Sequence, residues 1–431
     1  MSKASGAAAV ALAALLLSGS WFVSADESPS SPDAGKVLLL KRSTPQFDSY
    51  TQDPSATLRR WMDAHFGRML VYSPYFDSRT SWYSRGWVYI DSYAIYRDPS
   101  PGSPDIFHTH PDWILRDAAG RPLFIPWGCG GALGCPQAAA DLSNPDFRRW
   151  WIDSAAQQVG RGSYAGVFID DVNLDWRVSD SSGNFVNPVD RSTGRAMTED
   201  QWRVNFAAFL EQVRSELPGI EIVHNAIWYA GGSQRQANPA VQRQIGAADW
   251  VEIEHGVNDS GLTGGNGQWS LRTLFDYIDS VHAAGKSVVI DGAGGQNPTP
   301  ASLEYALACY LLVSTGRDAL GEGGAATPDS WWPGFDVQLG APVGPRTNWS
   351  GLMRRDFTGG MALVNEPSAK PVTVALTGRY FRLDSSVVDA VTLAGGEGEV
   401  LLQGVRPRRD RPERQGAPPF PQNRIVDPLR P

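Results

Sequence analysis

Cysteine, histidine and positive charge are all scarce in this 431-residue sequence. Three cysteines are too few for a disulfide scaffold, so an apolar core must hold the chain together. Lys and Arg number 38 against 46 Asp and Glu, and a net charge of −8 argues against nucleic acid as a partner. After the first 25 residues no apolar run is long enough for a membrane helix, so no transmembrane segment is expected in the mature chain. No internal repeat is visible, and no glycine-rich dinucleotide fingerprint follows the first strand-like run.

What is present begins with a leader. Lys3, an apolar core over 7–17 and the small residues Val23-Ser24-Ala25 have the order of a secretory signal peptide, spanning 1–25. Left uncleaved, the same segment would be an N-terminal anchor. Cleavage would leave a secreted, extracellular chain with net charge −9. A Ser/Pro/Asp linker, 26–35, follows. At the other end, 405–431 is Pro-rich with seven Arg against three acids from Arg406 onward, a disordered tail able to contact an anionic surface.

The organising stretch is Gly166-Val167-Phe168-Ile169-Asp170-Asp171-Val172-Asn173, an apolar run that ends abruptly in two carboxylates. Buried parallel strands read as continuous apolar sequence. Similar runs lie at 36–41, 68–72, 87–90, 220–223, 250–253, 286–290 and 318–321, and helical patterns at 59–65, 144–158, 198–217, 269–284 and 302–315 separate several of them. Eight strands alternating with helices over 36–335 predict a (β/α)8 TIM barrel, with an open doubly wound sheet as the rival. From Gly359 the pattern changes to period two, which predicts a small C-terminal antiparallel β-sandwich within 336–404. A long insertion, 97–141, carries aromatic residues and the pair Cys129 and Cys135, which could close a small loop in an oxidising compartment.

Barrel chemistry sits at the C-terminal strand ends. There the sequence places Asp77, Asp91, Asp170, Asp171, His224, Asn225, Glu254, His255, Asp291 and Glu322, an acidic mouth suited to a neutral polyhydroxylated ligand. Adjacent residues on a strand face opposite ways, so one of Asp170 and Asp171 is expected to enter the site and the other to brace a loop or Arg177. Glu252 and Glu254 share a face, with Glu254 nearer the mouth and Glu252 structural. A carboxylate on the fourth strand facing one on the sixth is the pair glycoside hydrolysis uses.

Gly166 to Val172, the preceding Asp141-Leu142-Ser143-Asn144-Pro145 with Trp150-Trp151, and Glu254-His255-Gly256-Val257-Asn258-Asp259-Ser260-Gly261 resemble the barrel proteins grouped as hypothetical glycosyl hydrolase family 15. More distantly the architecture is similar to retaining α-glycosidases of the α-galactosidase and polygalactosaminidase type. The resemblance implies Asp170 as nucleophile and Glu254 as acid/base, with no cofactor. Asp91, Tyr93, Asn225 and Asp291 would then hydrogen-bond sugar hydroxyls, and Trp127, Trp176, Trp228 and Trp269 would stack on sugar faces. His110, Asp171 and His224 complete the expected substrate-binding set. Two other readings stay open. One is a metal-dependent barrel hydrolase using His108, His110, His224, His255 and Asp291. The other is a carbohydrate-binding barrel without catalysis.

Overall fold

Eight short apolar strands pair edge to edge in a computed structural model of the chain. They are β1 Leu39–Arg42, β2 Phe66–Val71, β3 Gly86–Asp91, β4 Gly166–Val172, β5 Glu221–Ala226, β6 Trp250–Ile253, β7 Ser287–Ile290 and β8 Ala319–Glu322. The structure describes residues 31–42, 45–99, 103–130, 134–226, 237–295, 297–322 and 324–404. The expected signal peptide, the first half of the linker, the basic tail and Trp228 lie outside these.

All pairings in this sheet are parallel. β1 bonds β2 on one side and β8 on the other, which closes the barrel and removes the open-sheet alternative. Among the described residues, six helices of nine residues or more connect the strands around it: α1 Ala56–His65, α2 Pro145–Gly162, α3 Glu199–Glu216, α4 Pro239–Ala247, α5 Leu271–Ala283 and α6 Pro300–Val313. The starts of α2 and α3 follow local chemistry. Asn144 caps α2 with Pro145 next to it, and Thr198 caps α3 through Gln201 N. Helix α4 carried no strong sequence signal and went unexpected. The connection from β2 to β3 contains no helix. Among the described residues no helix is long and apolar enough to cross a membrane.

Helix α6 is apolar all round, buried at every position from Tyr305 to Val313. Such a helix needs cover on both sides. The barrel supplies one side, and six C-terminal strands supply the other: β9 Thr347–Trp349, β10 Leu352–Phe357, β11 Gly360–Val364, β12 Val372–Phe381, β13 Val387–Leu393 and β14 Gly398–Gln403. They form one antiparallel sheet in the order β9-β10-β11-β14-β12-β13, folded as a small sandwich over its own core. The first two of these strands escaped the period-two reading.

Strand β11 shows how the sheet joins the barrel. Met361 and Leu363 enter the sheet's own core, while Ala362 and Val364 join the main core. At β14, Gly398 permits close approach, since a Cβ there would lie 2.9 Å from the Ala308 Cβ. Arg355, buried on β10, donates from Nη1 to the carbonyls of Leu311 (2.9 Å) and Ser314 (2.7 Å). These groups at the end of α6 have few other partners for their lone pairs.

Replacing Arg355 by Ala should therefore cost roughly 3 kcal/mol, the order expected for removing a buried charged donor from two carbonyls. Chemical denaturation of the full chain checks this. An unchanged midpoint would deny Arg355 its role in fastening sheet to barrel.

Candidate active site

Period-two geometry builds the site. The barrel lumen is filled by Leu40, Leu70, Trp87, Phe168, Val223, Trp250, Val289 and Ala319, one residue from each strand. Two residues further toward the C-terminal mouth the same faces carry Arg42, Tyr72, Tyr89, Asp170, Asn225, Glu252, Asp291 and Gly321. A layer of polar groups thus rests directly on an apolar plug.

Asp170 accepts three hydrogen bonds. Tyr89 donates its hydroxyl to Oδ2, while Asn225 Nδ2 (2.8 Å) and the Asp171 backbone N–H (2.9 Å) donate to Oδ1. Burial, then the Asp170 charge, holds the Tyr89 hydroxyl protonated far above the usual phenol range. The same Asn225 Nδ2 donates to Glu254 Oε2 at 3.2 Å. One amide nitrogen therefore spans both carboxylates, and the bridged oxygens lie no more than about 6 Å apart.

Glu254 reaches the mouth because the chain turns sharply after β6. His255 and Gly256 both take left-handed conformations, at φ 59° and 53°. A Cβ on Gly256 would lie 2.0 Å from the Asp291 carbonyl oxygen, so only glycine fits. His255 Nε2 stands 3.7 Å from Glu254 Oε1, at the surface.

The strand-alternation expectation for Asp170 and Asp171 fails. Asp171 has φ 56°, and the β4–β5 register shifts between Ile169 and Val172. This irregularity brings the Asp171 carboxyl into the same cluster as Asp170, where it is hydrogen-bonded to Asp91 and receives the Trp127 indole N–H at 3.1 Å. Burial, then the charges of Asp91 and Asp170, pushes Asp171 well above the carboxylate range. Asp91, which also accepts the backbone N–H groups of Tyr93 (2.8 Å) and Ala94 (2.7 Å), is raised to about 7 by burial and the Asp170 charge. Arg177, instead of pairing with Asp171, lies 4.2 Å over the Trp127 ring. Trp127 is set beside the Cys129–Cys135 disulfide of the insertion.

The mouth is less uniformly acidic than the sequence suggested. Arg42, ending β1, donates from Nη1 to Glu252 (3.1 Å) and to Asp291. Lys41 faces the other way and pairs with Glu322 at 3.9 Å, both fully buried; burial lowers Lys41 to about 8. Glu322 also receives the backbone N–H groups of Gly324, Ala325 and Ala326.

Several expected ligand contacts are displaced. Tyr93 is fully buried, edge-on to Trp202 and Phe206, with its hydroxyl bonded to Asn173 and the Arg177 carbonyl, so it cannot meet a sugar here. His224 lies one residue before Asn225 and so faces outward, toward the Gln244 carbonyl of α4; burial lowers it to about 4. His110 stacks on Trp113 within the insertion, and His108 pairs with Asp105 at the surface. The four histidines and one aspartate of the metal reading thus point to different places. Trp176 is partly buried against the core, and Trp269 is half-exposed in the loop entering α5. Asp91, Trp127, Asp171, Asn225 and Asp291 do gather around Asp170 and Glu254. Sequence reading missed Tyr89 and Arg42. Their signal was periodic: each lies two residues beyond a lumen residue, Trp87 and Leu40.

This geometry is that of a parallel (β/α)8 barrel with the carbohydrate-active hydrolase fold. The chain belongs to a single family within that class: the model of hypothetical glycosyl hydrolase family 15 matches residues 74–361. No curated protein matches the sequence. Solved structures similar to it include a GH36 α-galactosidase from Geobacillus stearothermophilus, at 10% identity and TM-score 0.46, covering 86% of this chain and 56% of that one. An α-amylase from Geobacillus thermoleovorans matches at 11% identity and TM-score 0.45, over 86% and 98%. The glycoside hydrolase domain of PelA from Pseudomonas aeruginosa matches at 16% identity and TM-score 0.39, over 71% and 97%. The chain spans little more than half the length of the α-galactosidase.

The Asp91–Asp171 pair makes stability depend on pH. Between the ordinary value near 3.8 and about 7 the folded state holds a proton that the unfolded chain has released, so stability falls as pH rises through that window. Asp91→Asn keeps an oxygen for the backbone donors and removes the titration. Its unfolding free energy should match wild type near pH 4 and show a shallower decline toward pH 7, by up to about 1.4 kcal/mol per pH unit. Identical slopes in the two proteins would place the proton elsewhere.

Proposed function

We propose that this protein is a secreted glycoside hydrolase that cleaves a poly- or oligosaccharide with retention of anomeric configuration. The observation that carries the reading is the Asn225 bridge between Asp170 and Glu254. The two N–H bonds of an amide diverge by about 120°, so near-linear bonds to both acceptors set the oxygens roughly 5 Å apart, in the range used for a covalent glycosyl intermediate rather than the ~6.5–9.5 Å that admits a water.

In the first step Glu254 gives its proton to the glycosidic oxygen while Asp170 attacks the anomeric carbon, and the leaving sugar departs as an alcohol. In the second, Glu254 takes a proton from water, and the oxygen of that water displaces Asp170 from the anomeric carbon. Three donors on Asp170 prepare it as an acceptor and leaving group. Asp91, Asn225 and Asp291 would contact ring hydroxyls, and the Trp127 face would flank the sugar. Export is part of the proposal, and the Cys129–Cys135 disulfide supports it, since such bonds persist in oxidising compartments.

The test is release of reducing ends from a panel of bacterial and plant polysaccharides, with and without chelator. Asp170→Asn and Glu254→Gln should each lower kcat by at least ~10²-fold, with chelator inert, and proton NMR of the first product should show the retained anomer. Either variant turning over like wild type would remove the two-carboxylate mechanism. An inverted product would contradict the short separation.

A further inference from the structure

Two orphaned atoms belong to residues that pair in register beside Asp170. Asn225 Oδ1 and Glu252 Oε2 are both buried, and neither has a hydrogen-bond partner among the described residues. Their residues are 3% and 0% exposed. Leaving such groups unmade is expensive, so native structures rarely do it. The β5–β6 register sets Glu252 directly opposite Asn225. Both side chains enter the lumen, because Val223 and Trp250, two residues earlier and also paired in register, belong to the lumen cluster.

If Glu252 were ionised, its free oxygen and the amide oxygen would be two buried acceptors on register-paired residues, neither with a donor. A neutral Glu252 resolves both at once. Its Oε1 continues to accept from Arg42 Nη1 at 3.1 Å, and its Oε2 carries the one proton the arrangement lacks. We propose that Glu252 is a positioning residue that keeps its proton and donates it from Oε2 to Asn225 Oδ1, fixing the amide with Nδ2 turned toward Asp170 and Glu254. A flipped amide would present its oxygen to two carboxylates and push them apart, so the proton on Glu252 sets the spacing of the pair.

The surroundings agree. Burial is the main force holding Glu252 neutral; Asp291 beyond β7, Asp170 on β4 and Glu254 after its own strand add to it, and Arg42 on β1 opposes. Arg42 divides its Nη1 between Glu252 and Asp291. As pH rises far enough to ionise Glu252, the donor is lost and the amide is free to turn, so activity should fall on the alkaline side. The catalytic consequence rests on the proposed roles of Asp170 and Glu254; the location of the proton does not.

The experiment therefore has two readouts on the full chain, using Glu252→Gln and Glu252→Leu. Infrared difference spectroscopy at neutral pH, wild type minus Glu252→Gln, should show one carboxylic-acid carbonyl band, since the proton held by Asp91 and Asp171 is common to both proteins and cancels. In the polysaccharide assay, glutamine supplies an N–H to Asn225 without titrating. It should keep a kcat roughly tenfold or more above that of leucine and extend activity to higher pH, with KM little changed among the three. No band in that difference, with one in wild type minus Asp291→Asn, would put the proton on Asp291, whose Oδ1 is also unpartnered, and would overturn the proposal. Equal kcat in the Gln and Leu variants would overturn it as well. Absence of wild-type activity on every glycan would instead sink the glycosidase reading, and the infrared band would still decide where the proton sits.

Discussion

Carboxyl groups taken out of water must find donors, protons or cations, and the mouth of this barrel is arranged around that requirement. Asp91, Asp170, Asp171, Glu252, Glu254 and Asp291 crowd above an apolar lumen with the Arg42 guanidinium among them. Each is compensated differently. Asp170 takes a phenol, an amide and a backbone N–H. Asp91 and Asp171 share a hydrogen bond and hold a proton toward neutral pH. Asp291 takes the guanidinium. Glu254, two residues beyond Glu252 and just before a left-handed turn, keeps its side chain 33% exposed and so meets solvent.

The scaffold beneath holds these groups by packing and by a few specific fastenings. The apolar plug from Leu40 to Ala319 prevents the strands from closing further, and the Trp151 indole N–H bonds the Asp91 carbonyl, tying the end of β3 to α2. On the far side the C-terminal sheet covers α6, the helix whose length carries almost no polar face. Without that cover, the helix between β7 and β8 would expose a large apolar surface, and the strand carrying Asp291 toward the mouth would lose its support. The sheet is thus structurally continuous with the barrel, sharing its core through Ala362, Val364 and Val400.

Much of this was legible in the sequence, for identifiable reasons. Buried parallel strands are short apolar runs, and these run from β1 to β8 at nearly the observed positions. Caps such as Asn144-Pro145 and Thr198 mark helix starts through local hydrogen bonding, which needs no tertiary context. Asp170 and Glu254 stood out because carboxylates ending apolar runs have few structural excuses. What failed did so through geometry. His224 and Tyr93 also sit just beyond strand-like runs, but a one-residue difference in phase turned His224 to the helix layer, and the turn after β3 folded Tyr93 into the core. Asp171 defeated the alternation rule because its left-handed backbone interrupts the pleat.

The sequence by itself determined the alternation of strands and helices, the period-two change near Gly359 and the two carboxylates at the ends of β4 and β6, because hydrophobic periodicity and local capping act over a few residues. Only the tertiary structure decided that one Asn225 amide would span those carboxylates, that Glu252 would stand opposite Asn225 in the β5–β6 register, and that Arg42, 210 residues from Glu252 in the chain, would donate to it. Those relations depend on barrel closure and strand register, which bring distant residues to one layer and which no local pattern encodes.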